Sequence, residues 1–452
     1  MNKAREFRTR SDLPWSLNKM AGDASNWKKI KLADCAELLS GFAFKSQRFT
    51  EKLEDIHLVK GENVSQGRVL WEKSKKWPAS EWSQFNKFQL VAGDVVLAMD
   101  RPWVPAGLKW CFIRETDPKA LLVQRCCRLR AVSALLDQTF LRFVIGGPGF
   151  ENYIRPITTG VNVPHISGKQ ILDFEFRLPD LPTQRRIGGI LSAYDDLIEN
   201  NLRRIRILEE MAQSLYREWF VHFRFPGHES APLVDSPLGP IPEGWEVKPV
   251  EELLDFHVGG GWGKEVADDK HAEPAFVIRG TDIPDARLCC VEGVPFRYHS
   301  VSNLRSRKLE AGDIVFEVSG GSKGQPVGRS LFVTDRLLNQ FCGEDVMCAS
   351  FCKLLRPKSD ALLPELLLYH LLEIYDDGRI DAYQVQCTGI TNFKFAPFLE
   401  QEGVIVPPPR LQTKWRKLSD DLLRQAALLG VTNQNLPKTR DLLLSRLLAP
   451  PA

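Results

Sequence analysis

The sequence predicts an α+β protein made of two tandem, duplicated β-rich domains. Each is followed by a long helix, and the two helices pack as an antiparallel coiled-coil spacer. Three observations predict this. Motifs recur in unchanged order in the two halves of the chain. Each half passes from short strand-like segments through a proline stop into a helical stretch. The helical stretches carry a seven-residue apolar repeat.

The repeat is read first. LVAGDVVLAM from Leu90 matches LEAGDIVFEV from Leu309, a Gly-Asp turn feeding a strand, with Asp94 and Asp313 in equivalent places. Cys127-Arg128-Leu129 is set against Cys352-Lys353-Leu354, again strand-like. TGVNVPHIS from Thr159 pairs with TGITNFKFA from Thr388, and FRLPDLPTQRRI from Phe176 with VIVPPPRLQTKW from Val404. Pro179 and Pro182 frame the first stop, and Pro407, Pro408 and Pro409 the second. The expected organisation is a leader over 1–26, a first β-rich domain over 27–180 and a central helix over 181–224. A linker over 225–244, a second β-rich domain over 245–406 and a distal helix and tail over 407–452 follow.

In the central helix one apolar row runs Leu191, Ile198, Ile205, Ala212, Trp219 and its companion Ile187, Tyr194, Asn201, Leu208, Leu215. The distal helix has Trp415, Leu422, Leu429, Leu436 and Leu443 at strict sevens. Its companion positions, Leu418, Gln425, Thr432 and Thr439, are poorer, and Gly430 is expected to interrupt it. Asn201, polar in an apolar row, is expected to fix register at a cost in stability. A helix over 183–220 would be about 55 Å long, more than its own domain needs.

Composition sets the class. The chain has 452 residues, 43% hydrophobic and 26% charged, which suits two or three globular domains. No apolar run approaches the length needed to cross a bilayer. The charged N-terminal segment lacks the features of a secretory signal. Ten cysteines without a CxxC pair read as reduced, buried thiols of a cytoplasmic protein, and no metal site is expected. A net charge of +3 does not fit a basic coating protein. Basic runs are local: Lys60–Lys76 holds five basic residues, and Arg297–Lys308 holds four.

Catalytic motifs are missing. The stretch GGGWGK from Gly259 fails as a phosphate loop, because Val258 stands where the first glycine belongs and Glu265 replaces Ser/Thr. There is no GxSxG, no HExxH and no amino-methyltransferase motif. Asp195 and Asp196, with Glu199 one turn on, read as solvated helix charges. Two similar but unequal heads on stiff helices suit a long, periodic partner such as duplex DNA. A duplicated, non-catalytic protein scaffold without sequence-specific DNA binding is the alternative.

The chain resembles the specificity subunits of type I restriction–modification systems. The segments WKKIKLADCAELLSGFAFKS from Trp27, LVAGDVVLAM, QRCCRL from Gln124 and GVNVPHIS from Gly160 carry the resemblance. So do FRLPDLPTQRRIGGILSAYDDLIENN from Phe176 and NLPKTRDLLLSRLL from Asn435, with the matching second unit. The resemblance implies that each β-rich unit is a target recognition domain reading one part of a bipartite, asymmetric sequence in double-stranded DNA. It implies helices that dock two methyltransferase subunits, and restriction subunits that join them. S-adenosylmethionine, ATP and Mg2+ belong to those partners, and the chain itself is no enzyme. In the first head the implied DNA-contacting candidates are Lys45, Gln47, Arg48, Lys60, Arg68, Lys73, Lys75, Lys76, Thr159 and Gly160. In the second they are Trp262, Lys264, Arg305, Arg307, Lys308, Lys323, Thr388 and Gly389. The stretch GFAFKS from Gly41 has no equivalent in the second head, which carries VGGGWGKE instead.

Overall fold

The computed structural model describes residues 27–104, 107–159, 164–320, 326–386 and 389–448. The leader over 1–26 lies outside them. The chain forms two compact units: the part before Ile198 together with the segment from Leu436 on, and Ile198–Asn435. Each unit therefore takes a share of both long helices.

In the first unit a four-stranded antiparallel sheet runs in the order Ala36–Ser40, Cys126–Ala131, Val95–Ala98, Trp110–Phe112. Val95–Ala98 is covered on both faces, hence its unbroken apolar sequence. A second sheet runs Lys76–Trp77, Ile56–Val59, Ala120–Leu122, Gln89–Leu90, with its middle pair parallel. Lys28–Lys31 pairs with Glu175–Leu178, closing the head where the central helix begins.

The second unit repeats the plan. Leu254–Gly259, Cys352–Pro357, Ile314–Glu317 and Ser330–Phe332 form its four-stranded sheet. Glu273–Ile278 is parallel to Val346–Cys348, and Glu246–Pro249 pairs with Gly403–Val406. Register corrects one sequence match. Leu129 faces Val95 and Leu355 faces Ile314, so Cys126, not Cys127, is the counterpart of Cys352. Setting Cys127 against Cys352 slips the strand by one residue, which exchanges its faces.

A repeated ion pair holds that register. Asp94, 2% exposed, accepts from Arg130 at 2.5 and 2.9 Å and from the Val91 amide at 2.8 Å. Asp313, 1% exposed, accepts from Arg356 at 2.7 Å twice and from the Glu310 amide at 2.7 Å. Each aspartate builds its turn and pins the strand beside it, so the carboxylate is satisfied on all sides.

The central helix spans Leu181–Tyr216 and continues as a wider turn over Arg217–Val221; the distal helix spans Pro409–Leu448. Each is entered through a buried glutamine. Gln184 donates to the carbonyls of Pro179 (2.8 Å) and Leu135 (3.0 Å) and accepts from the Asp137 amide (2.8 Å). Gln412 repeats this with Pro407 (2.7 Å), Ala361 (3.4 Å) and the Leu363 amide (2.9 Å).

The helices run antiparallel inside each unit. In the first, Ile187 and Leu191 are fully buried in the core that takes in Leu443, Leu444 and Leu447. Asp195 accepts from Arg142 of the head at 2.7 Å and also pairs with Arg440 of the distal helix. Asp195 is thus not the solvated helix charge expected from sequence; two arginines enclose it. In the second unit Asn201, Ile205, Ala212, Trp219 and Trp415 are buried, with Ile198, Leu208, Leu215, Leu422 and Leu429 half-buried. Tyr194, Leu436 and Leu443 are half-buried in the first.

Two further expectations change. Leu418, Gln425, Thr432 and Thr439 are exposed; the true companion row lies one residue later, at Ser419, Ala426, Asn433, Arg440 and Leu447. Its small and polar members gave no apolar signal. The distal helix also runs unbroken through Gly430, where a Cβ would lie 2.4 Å from the Leu288 carbonyl oxygen. Glycine there makes room for a loop.

Asn201 donates to Asn433 at 2.9 Å, and Asn433 donates to the Ile198 carbonyl at 3.1 Å. Replacing Asn201 alone with Leu strands its partner. It is expected to lower stability by about 1–3 kcal/mol, whereas Asn201→Leu with Asn433→Leu recovers most of that loss. Calorimetric melting of the two variants checks this, and a single variant that melts above the parent contradicts it.

Candidate nucleic-acid interface

The stretch after Gly41 leaves the first sheet over the end of the parallel pair. The Gly41 amide donates to the Cys126 carbonyl (3.0 Å), the Phe42 amide to Leu122 (3.0 Å) and the Gln124 amide to Phe42 (2.8 Å). The Val123 amide donates to Val59 (3.0 Å), just before Lys60. The Met99 amide donates to Arg125 (2.8 Å), and Arg101 to Pro164 (2.7 Å). Loops that are far apart in sequence are thereby tied into one rim containing Lys45, Lys60, Asp100, Arg101, Arg125 and His165.

The second unit builds the same rim. The Gly260 amide donates to the Cys352 carbonyl (2.9 Å), Gly261 to Cys348 (2.9 Å) and Ala349 to Ile278 (2.8 Å). The amides of Val318 and Ser319 donate to Phe351 at 2.9 and 3.2 Å. Gly41 and Gly260 occupy equivalent places. A Cβ on either would fall 2.2 Å from a carbonyl oxygen, that of Val123 or Ala349. Backbone approaches backbone too closely for any side chain. Lys45 and Lys264 therefore stand at matching positions, and VGGGWGKE is the second head's counterpart of GFAFKS.

The side chains that follow differ. Phe44 is buried against Trp77 (4.8 Å between rings) and Phe85 (4.9 Å), and the exposed Phe42 lies on the same cluster. In the second head Trp262 is exposed, with the Arg297 guanidinium 4.8 Å from its ring. His299 is fully buried beside this loop, and burial pushes its pKa below the ordinary imidazole value. Its ring nitrogens have no partner among the described residues.

The structure sorts the candidate residues. Lys45, Gln47, Arg68, Lys73 and Arg305 are exposed. Arg48 lies 4.6 Å from the Trp77 ring and pairs with Glu81. Lys60 pairs with Glu62. Lys75 and Lys76 run beside the Ile56–Val59 strand, Lys76 opposite His57 and the Lys75 carbonyl accepting from the Leu58 amide at 2.9 Å. There Lys75 binds Glu51 at 2.9 Å and Lys76 the Leu53 carbonyl at 3.1 Å. In the second head Lys264 pairs with Asp268, Lys308 with Asp345, and Arg307 donates to the Gly259 carbonyl at 2.8 Å. Lys264 and His271 hold the Asp268 carboxyl well below its usual range. Thr159 is bridged to His165, and Gly389 is exposed with φ 88°. Gly160, Lys323 and Thr388 lie outside the described residues.

Asp100, Arg101, Arg125 and His165 were not among the sequence candidates, because none lies in a basic run. The duplication held the missing signal: Arg125 and Phe351 stand one residue before Cys126 and Cys352. Among the described residues no cluster of His, Cys, Asp or Glu could hold a metal ion. Burial pushes the Cys126 thiol up to about 12, which makes it a packing residue.

The pattern of the type I restriction modification DNA specificity domain matches residues 24–210. The type I restriction enzyme MjaVIII specificity subunit of Methanocaldococcus jannaschii is 28% identical over 174 residues, 38% of this chain and 40% of that one. The EcoAI specificity subunit of Escherichia coli is 32% identical over 173 residues, 38% of this chain and 28% of that one. The chain thus matches well under half the length of these two relatives. The MjaIX specificity subunit of M. jannaschii is 25% identical over 319 residues, covering 68% of this chain and 67% of its own. The structure of a type I restriction-modification S subunit from M. genitalium shares the fold. Its TM-score is 0.52 at 14% identity, covering 94% of this chain and 96% of that one.

Substituting Gly41 or Gly260 with Ala is expected to lower unfolding free energy by about 2 kcal/mol or more, through overpacking. Gly189, on the central helix with open space beside it, serves as the control. Gly189→Ala is expected to be neutral or stabilising by up to about 1 kcal/mol. Urea titration measures all three, and equal behaviour of the three sites contradicts the account.

Proposed function

We propose that this chain is a type I restriction–modification specificity subunit with a DNA-reading role. Each β-rich head reads one part of a bipartite target in double-stranded DNA. Because the heads share a frame but not its side chains, the two parts differ and the whole target is asymmetric. The observation that carries this reading is the rim built twice from the same backbone hydrogen bonds and furnished differently each time.

The chain chooses sequence and does no chemistry itself. The helical pair docks two methyltransferase subunits, and restriction subunits join that core. S-adenosylmethionine, ATP and Mg2+ act in those partners. The chain works on DNA in the cytoplasm; among the described residues no helix is long and apolar enough to cross a membrane. Exposed lysines and arginines near the rim position each head on phosphates, and a few side chains meet base edges. Among the sequence candidates, Lys45, Arg68 and Arg305 suit the phosphate role, being exposed; Lys75 and Lys76 suit it less, being held by neighbours.

The test replaces residues 27–178 with the same segment of a related specificity protein. The chimaera is purified with its methyltransferase subunits, and bound sequences are selected from random duplex DNA. One half of the target is expected to change and the other to persist. A change in both halves, or in neither, contradicts the reading.

A further inference from the structure

Three positions of the rim correspond between the heads and carry different chemistry. The carbonyl that receives the Met99 amide belongs to Arg125, and the one that receives the Val318 amide belongs to Phe351. Asp100 bridges to His165, and Ser319 pairs with Asn392. Arg125, Asp100 and His165 in the first head are therefore replaced by Phe351, Ser319 and Asn392 in the second.

The first set is built around one carboxylate. One Asp100 oxygen forms an ion pair with the Arg125 Nε at 3.2 Å, and the other is hydrogen-bonded to the His165 Nδ1 at 2.5 Å. Its own side chain is 20% exposed, whereas that of Arg125 is 69% exposed. The ion pair holds the guanidinium from its Nε side, and the Nη donors have no partner among the described residues. Arg125 has φ 67° and the neighbouring Arg101 φ 46°. A left-handed backbone is disfavoured for residues other than glycine, and at binding loops such strain goes with a required side-chain direction.

The charges distinguish two roles. An arginine already paired with a carboxylate attracts phosphate weakly, because the pair is near neutral, but keeps its directed donors. Two parallel N–H groups match the O6 and N7 atoms of guanine. In the second head Ser319 donates to Asn392 at 2.7 Å, so two neutral side chains stand where Asp100 and His165 stand in the first. Phe351 is 57% exposed, and an exposed ring at that place suits the thymine methyl group.

Resting on the DNA-reading role above, we propose that Arg125, positioned by Asp100, reads a guanine in one half of the target, and that Phe351 meets a thymine methyl group at the matching place in the other half.

The test uses the full chain with its methyltransferase subunits and duplexes changed one base pair at a time from the selected target. Arg125→Ala is expected to reduce discrimination at one G·C pair roughly five- to a hundred-fold, with the other half unchanged. Arg125→Lys, which keeps the charge but loses the fork, is expected to lose the same preference. Asp100→Asn is expected to lose part of it at that base pair. Phe351→Ala is expected to relax a thymine preference in the other half alone. Melting curves matching the parent show that these variants fold. If Arg125→Ala leaves every preference intact while the parent remains selective, the assignment is overturned and DNA reading stands. Uniform weakening on all sequences, with a salt slope lower by about one, overturns it in favour of a phosphate contact. A parent complex without any sequence preference overturns the DNA-reading role itself.

Discussion

A head can report sequence only if it cannot turn on its helix, and two buried glutamines impose that constraint. Gln184 and Gln412 each close on two carbonyls and one amide, tying a helix entrance to its proline stop and to the loop before a helix of the head. Buried polar groups satisfied in this way resist movement, because any rotation leaves them unpaired in a medium without water. Ion pairs fix the remaining freedom. Arg142 meets Asp195 in the first unit, and Glu365 receives Arg416 in the second at 2.5 Å. Each head is thus held to the helical pair by side chains that work only in one arrangement.

On that base the fold separates frame from furnishing. Asp94 with Arg130, and Asp313 with Arg356, set strand register in the two heads identically. Gly41 and Gly260 let the next loop cross at backbone distance. Beyond those glycines the likeness ends: an aromatic cluster over Trp77 in one head, an exposed Trp262 over Arg297 in the other. A frame that does not depend on its rim residues can change them without unfolding, which is what two different readings from one plan require.

Much of this was legible in the sequence where chemistry repeats at long range. The order of motifs revealed the duplication, and apolar residues at sevens revealed the helices. The companion row of the distal helix was hidden because Ser419, Asn433 and Arg440 carry no hydrophobic signal. Asp195 resembled a surface charge because its arginines come from residues 142 and 440. Register at Cys126 was hidden because the adjacent Cys126 and Cys127 offer two alignments with Cys352 that differ by one residue. The rim residues Asp100, Arg125 and His165 are brought together only by tertiary hydrogen bonds, so no local run could display them. Lys75 and Lys76 stood out in sequence, yet Glu51 and the Leu53 carbonyl hold their ammonium groups.

The central claim is that two unequal heads read two unequal half-sites. Selection from random duplex DNA by the parent chain bound to its methyltransferase subunits tests it most directly. The account predicts two different short motifs separated by a gap of fixed length and indifferent sequence. A palindrome, a single contiguous motif or no enrichment would contradict it.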